Sequence, residues 1–318
     1  MRRRAAAAGG DIRGCGTLPD MTIISPEELR ARLGASDLRI VDTRWYLGQP
    51  GRGRAAYEAG HLPGAIFLDL DIDLSAPDGP GRHPLPDPVA FARLLAERGI
   101  GDGHLVVACD DTGGGVAARL WWMLDDLGHR RVAVLDGGLA GWMAINGPVT
   151  TETPAWPPAS LRLRERWSRV IERDELRRRL GSVTLLDARA PERYRGETEP
   201  IDPAAGHIPT ALSAPFTDNL GPDGRFRPPG ELLERFRQLG VGGDRGGGRG
   251  SGGRGSRGGG EAERIVVTSC GSGTNACHNA LAMRLTGLPD PLLYPGSFSD
   301  WSRSGLPVAT GPEPGEPA

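Results

Sequence analysis

At 318 residues, with 25% charged side chains and a formal charge of −2, the chain has material for two domains, each with its own core. Balanced charge excludes a global nucleic-acid or membrane-surface footprint, and no apolar run approaches the length of about eighteen residues needed to span a bilayer. The four cysteines, Cys15, Cys109, Cys270 and Cys277, have no disulfide-framework spacing.

Taken in chain order, residues 1–20 have a basic start but no apolar h-region, and serine is absent. They are expected to be a disordered leader or to precede a true start at Met21. Thr22 to Leu29 predicts a short strand and then a helix start. The apolar run Leu38 to Val41 predicts a strand ending at Asp42, and Leu105 to Ala108 another; helices are predicted over Phe91–Gly99 and Ala117–Leu127. The first domain is set at 21–147, followed by a proline-rich linker, 148–160. The second, 161–310, has predicted helices at Glu172–Leu180, Glu231–Leu239 and Ala276–Leu285. It is interrupted at 242–260 by a run of Gly, Arg and Ser that cannot supply a core and is expected to be a flexible loop. Such a tract is more often a solvated linker than an RNA-binding segment. Residues 311–318 are expected to be a disordered tail. Strands alternating with helices predict an α/β fold, with a parallel sheet flanked by helices in each half.

The halves repeat each other. Leu38 to Arg44 returns as Val183 to Arg189, Gly60-His61-Leu62-Pro63 as Gly206-His207-Ile208-Pro209, Leu105 to Asp110 as Ile265 to Cys270, and Gly141-Trp142 as Asp300-Trp301. The register lengthens by about fourteen residues across the Gly/Arg run, close to its size. The histidines recur in both halves, which points to a structural role for them.

The duplication isolates Cys270. It follows the strand Ile265 to Ser269 and opens the loop Cys270-Gly271-Ser272-Gly273-Thr274-Asn275, after which a helix begins. A thiol there faces unpaired backbone N–H groups and the positive end of the helix, a field that favours thiolate over thiol. Gly271 and Gly273 let the loop bend tightly, and Ser272, Thr274 and Asn275 add donors, forming a cradle for an anion around a nucleophile. Phosphatase loops need an arginine six positions after the cysteine, and Ala276 stands there. The dinucleotide-like Gly271-x-Gly273-x-x-Ala276 lacks the rest of its domain. In the first half Asp110 takes the place of Cys270; it cannot be a sulfur nucleophile and is expected to repel anions. Cys109 should point away from its loop. Cys277-His278 has no second pair at metal-ligand spacing, so no metal and no cofactor are expected.

Together Asp42 to Leu47, the two Gly-His motifs, Leu135-Asp136-Gly137-Gly138 and Cys270 to Gly273 make the chain resemble the tandem-domain rhodanese family of sulfurtransferases, from about Ser25 to Thr310. The resemblance implies two rhodanese-like domains, the first catalytically degenerate, and a Cys270 persulfide. It implies a small-molecule sulfur donor and an acceptor that is cyanide, a small thiol or thioredoxin. Nucleic acid and membrane are not expected partners, and a working thiolate points to the cytoplasm. Thiosulfate enzymes of the family carry a Cys-Arg-Lys-Gly type loop, whereas Gly271-Ser272-Gly273 is uncharged, as in the 3-mercaptopyruvate branch. Arg193 matches the family's substrate arginine, with Arg195 on the same face if that segment is extended. Asp71 and His83 match an acid and a histidine that the first half lends to the cleft. A second clamping arginine of the vertebrate-type enzymes is missing where this chain reads Pro200-Ile201-Asp202-Pro203, and Thr274-Asn275 stands where Val-Thr is usual. Thiosulfate:cyanide transfer by the same cysteine, and a non-enzymatic persulfide carrier or redox-sensing module, remain as alternatives.

Overall fold

The apolar runs become strands because they are buried on both faces, which a parallel sheet covered by helices requires. The computed structural model describes residues 21–242 and 264–317. The expectations placed on the leader and on the insertion, of which Gly242 alone is included, fall outside them.

In the first half the order is β1 (Ile23–Ile24), α1 (Pro26–Arg32), β2 (Leu38–Asp42), α2 (Arg52–Ala59), β3 (Ala65–Phe67), α3 (Pro88–Glu97), β4 (Leu105–Cys109), α4 (Ala117–Asp126), β5 (Val132–Leu135) and α5 (Gly138–Ala144). The second half continues with α6 (Arg173–Arg179), β6 (Thr184–Asp187), α7 (Pro191–Tyr194), β7 (Leu212–Ser213), a 3₁₀ turn at Phe216–Asn219, α8 (Pro229–Gln238), β8 (Val266–Ser269), α9 (Ala276–Thr286), β9 (Leu292–Leu293) and α10 (Ser297–Trp301). All strand pairs are parallel, in the orders β1-β5-β4-β2-β3 and β7-β6-β8-β9. Val170 bridges Leu293 in parallel, in the place β1 takes beside β5, so the second sheet repeats the first. The Ser25 hydroxyl and the Glu28 carboxylate cap α1 reciprocally.

Matching side chains hold matching corners. Asp42 grips Arg44, whose Nη2 donates to Gly60 O at 2.7 Å; Asp187 grips Arg189, whose Nη2 donates to Gly206 O at 2.6 Å. His61 and His207 each stack on a tyrosine, Tyr57 and Tyr194, with ring centroids 3.8 Å apart. Each histidine also pairs its backbone with an extended segment, His61 with Thr150 and His207 with Ala309. Beyond those bridges both segments stay docked. Glu152 O lies 3.2 Å from His61 Nε2 and Glu313 O lies 3.1 Å from His207 Nε2, while Thr210 N–H donates to Pro314 O. The expected disorder of 311–318 is therefore corrected for residues 311–317: that stretch does for the second half what the linker does for the first.

Three apolar cores follow. One belongs to the first half and one to the second, and the largest runs through both, from Leu120, Met123 and Leu124 on α4 to Ala280, Leu281 and Met283 on α9. The first-half loop at 112–115 lies under the second half. A Cβ on Gly113 would come within 2.5 Å of Leu220, and one on Gly115 within 3.2 Å of Phe216. His278, fully buried and with its pKa pushed down to about 4 by that burial, donates from Nε2 to Gly113 O and accepts from Asn219 at Nδ1.

Asp110 goes further than its charge suggested. It is itself the anion of its loop, leaving no place for another: its carboxylate accepts from the N–H groups of Thr112, Gly114, Val116 and Ala117 at 2.7–2.9 Å. Cys109, one residue earlier, points into the opposite core, and burial raises its thiol pKa well above the usual value. Asp110→Ala strands four N–H groups that are each costly to leave unpaired. We expect it to lower unfolding free energy by at least about 3 kcal/mol, with Asp110→Asn intermediate, measured by urea denaturation.

Candidate functional site

At the equivalent point of the second half, Cys270 follows β8 and Ala276 begins α9. The loop between them is held from behind. Cys270 N–H donates to Ser297 Oγ at 3.1 Å, and the N–H groups of Phe298 and Ser299 donate to the carbonyls of Cys270 and Gly271. Ser297 takes a left-handed backbone, φ 51°, where the first half has Gly138 at 53°. A serine there accepts that strain and gains a hydroxyl for the cysteine amide. Gly273, φ +77°, passes so close to Pro295 O that a Cβ would sit at 2.6 Å. Sγ of Cys270 accepts from Ser272 N–H at 3.5 Å, and no carboxylate fills this loop.

Cys270 opens on a cavity of about 480 Å³ between the halves. Its walls are Trp45, Tyr46, Val116 and Phe216 on the apolar side, with Gly271, Ser272, Thr274 and Asn275 at the base and Arg82, Arg189 and Arg193 at one flank. The expected residues assemble around Cys270, Gly273 by its backbone alone, and only Arg195 lies apart. Ser272 Oγ lies 2.7 Å from His83 Nδ1, and His83 Nε2 lies 2.9 Å from Asp71 Oδ1, whose other oxygen accepts from Trp45 Nε1. Because Asp71 can only accept, Nε2 carries the proton and Nδ1 accepts from the Ser272 hydroxyl. Burial lowers the His83 pKa below its ordinary 6.5, with Asp71 opposing, while the His83 hydrogen bond holds Asp71 low. Arg193 is at the flank, its Nε and Nη2 on Glu199.

Arg195 is the exception. Residues 191–194 form a helical turn, not an extended segment, so Arg195 leaves on another bearing and pairs with Glu197 outside the cavity. Gly273 contributes through its backbone and does not line the cavity. Cys277 and His278 bind no common centre: the thiol donates to Gly273 O. Among the described residues no group of three or more His, Cys, Asp or Glu is placed to hold a metal, and no helix is long and apolar enough to cross a membrane.

Two side chains that the sequence left unmarked matter here. Arg119 on α4 is completely buried without an ion pair among the described residues; Nη1 donates to Gly273 O, and Nη2 to the carbonyls of Leu74 and His83. Arg82, beside His83, reaches the loop from the first half. The signal for it, a cation next to a candidate cleft histidine, was present in Gly81-Arg82-His83.

The rhodanese-like domain model matches residues 25–145 and again 172–304. The chain belongs to the rhodanese family. This tandem rhodanese is 44% identical over 296 residues to a probable 3-mercaptopyruvate sulfurtransferase of Pseudomonas aeruginosa, covering 91% of this chain and 98% of that one. It is 34% identical to human 3-mercaptopyruvate sulfurtransferase, with coverage of 86% and 88%, and 37% to a putative thiosulfate sulfurtransferase, SseB, of Mycobacterium tuberculosis, with 88% and 93%. Among solved structures, the 3-mercaptopyruvate sulfurtransferase of Leishmania major superposes with a TM-score of 0.76 at 28% identity, over 91% of this chain and 76% of that one. The rhodanese is accordingly an enzyme of the sulfurtransferase type.

Sulfur transfer that uses the Ser272–His83 pair needs neutral imidazole. Since the His83 pKa lies below 6.5, kcat should hold on acidification to pH 6.5 and fall only below it, as the proton adds to Nδ1. Asp71→Asn removes a group that raises the His83 pKa, so the acid limb should move to still lower pH. His83→Gln should cost about a hundredfold in kcat. A pH–rate series on the three proteins measures both.

Proposed function

We propose that the rhodanese takes sulfur from 3-mercaptopyruvate and passes it on through a persulfide on Cys270. The cysteine thiolate attacks the donor sulfur, an S–S bond forms, the C–S bond breaks, and its electron pair goes to carbon as the enolate of pyruvate. The thiol proton of the donor ends on that carbon. The line Ser272–His83–Asp71, next to the nucleophile, is the group suited to carry it, and this juxtaposition is the observation that carries the reading. The loop amides and the start of α9 stabilise the terminal sulfur of the persulfide, as Asp110 is stabilised in the first half. In the second displacement cyanide, a small thiol or thioredoxin attacks that sulfur and restores the thiolate.

Arg193 holds the donor carboxylate in this reading, with Thr274 and Asn275 at the floor of the cavity. Full-length similarity to proteins named for 3-mercaptopyruvate supports the donor. Thiosulfate is the second reading, because relatives named thiosulfate sulfurtransferases also match over most of the chain and because guanidinium groups flank the loop.

Steady-state kinetics with both donors tests the proposal. We expect kcat/KM for 3-mercaptopyruvate to exceed that for thiosulfate by at least about tenfold, a transition-state difference of about 1.4 kcal/mol, and Cys270→Ser to abolish turnover with either. Retained turnover in the serine variant overturns the mechanism. A thiosulfate preference overturns the donor.

A further inference from the structure

Gly271 has no side chain, yet the place of one is taken. A Cβ there would meet Arg82 Nη2 at 2.7 Å and Arg193 Nη1 at 3.6 Å. These arginines come from opposite halves of the chain and are oriented alike. Arg193 spends Nε and Nη2 on Glu199, with Asp202 3.5 Å from Nη2, and Arg82 spends Nη1 on Asp202. Each is thereby held along one edge by a buried acid. Arg193 Nη1 and Arg82 Nη2 have no hydrogen-bond partner among the described residues, and both face Gly271 at the cavity next to Cys270.

The position of Arg82 is built. Its own N–H donates to Ser299 Oγ at 3.0 Å. Gly81 before it, φ +81°, passes so near α10 that a Cβ would be 2.5 Å from Gly296 O. That approach is open to glycine alone and directs the next side chain across the seam to the loop. Asp202 lies in the Pro200-Ile201-Asp202-Pro203 segment, where the sequence offers no arginine.

We propose that Arg82 is a substrate-binding residue, one jaw of a carboxylate clamp whose other jaw is Arg193, so that the clamp is complete only across the domain seam. It rests on the reading above and specifies how the donor is chosen. Two guanidinium groups converging on one point favour a planar carboxylate beside a sulfur that Cys270 attacks. The acids behind them cancel enough charge to leave the site matched to a monoanion.

Alkylation of Cys270 tests this without turnover, with iodoacetate and iodoacetamide as probes that differ in the carboxylate alone. Rates at Cys270 are followed by peptide mass for the wild type, Arg82→Met and Arg82→Lys. We expect the iodoacetate-to-iodoacetamide rate ratio to fall by about ten- to a hundredfold in Arg82→Met, the worth of one charge-assisted hydrogen bond, and lysine to restore part of it. In turnover the same variant should raise KM for 3-mercaptopyruvate with kcat little changed. An unchanged ratio in both variants overturns the clamp. Should Arg82→Met fail to fold, the lysine variant decides alone, because it keeps the charge and loses the planar fork: a ratio equal to wild type overturns the proposal. A wild type that transfers no sulfur from 3-mercaptopyruvate refutes the donor and leaves the alkylation ratio to decide the clamp.

Discussion

The packing of α4 against α9 is the contact on which the cavity depends. It joins the halves through one continuous apolar core and buries a guanidinium, Arg119, with no carboxylate among the described residues to answer it. Burying an unpaired cation is expensive, and here its donors go to carbonyls on two sides. One set belongs to the strand of chain that carries His83, the other to the Cys270 loop. Because the same planar group binds both, histidine and cysteine loop are fixed relative to each other, though 187 residues separate His83 from Cys270. Rotation of one half against the other would break the bond from Nη1 to Gly273 O and part the apolar core behind it, while the bonds to Leu74 and His83 stay within the first half.

Much of this was legible in the chain. The strands and the helices at 117–126 and 276–286 follow from short apolar runs, and the paired Gly-His and Asp-x-Arg segments expose the duplication. Cys270 stands out because its counterpart is aspartate. What failed depended on geometry that periodicity does not carry. Arg195 was placed on the face of Arg193 by assuming extended chain, and a single helical turn undid it. The tail has no periodicity to reveal it, because it is held by single contacts, Glu313 O on His207 and Pro314 O on Thr210 N–H, that close the His207 corner. Arg82 offered one signal, its place beside His83, and the rest of its meaning lies in Asp202 and Gly271, residues of the other half.

The Asp110 loop shows how a carboxylate closes such a cradle. Among backbone N–H groups it satisfies the donors that an incoming anion would otherwise use. The same reasoning sharpens the view of Gly271. A loop without cations need not make a site without cations, since the chain delivers guanidinium groups to that spot from outside the loop. Loop composition alone is thus an incomplete guide to which anion such a cavity takes.

The position of half-buried Gly113 and of buried Gly114 and Gly115 has a consequence for the redesign of the molecule. In the first half, the mouth of the loop is pressed against Leu220, Phe216 and His278. What in one half is an entrance has in the other become mortar. Restoring a cysteine at position 110 would not recover a second catalyst, because no molecule could reach it without prying the two halves apart.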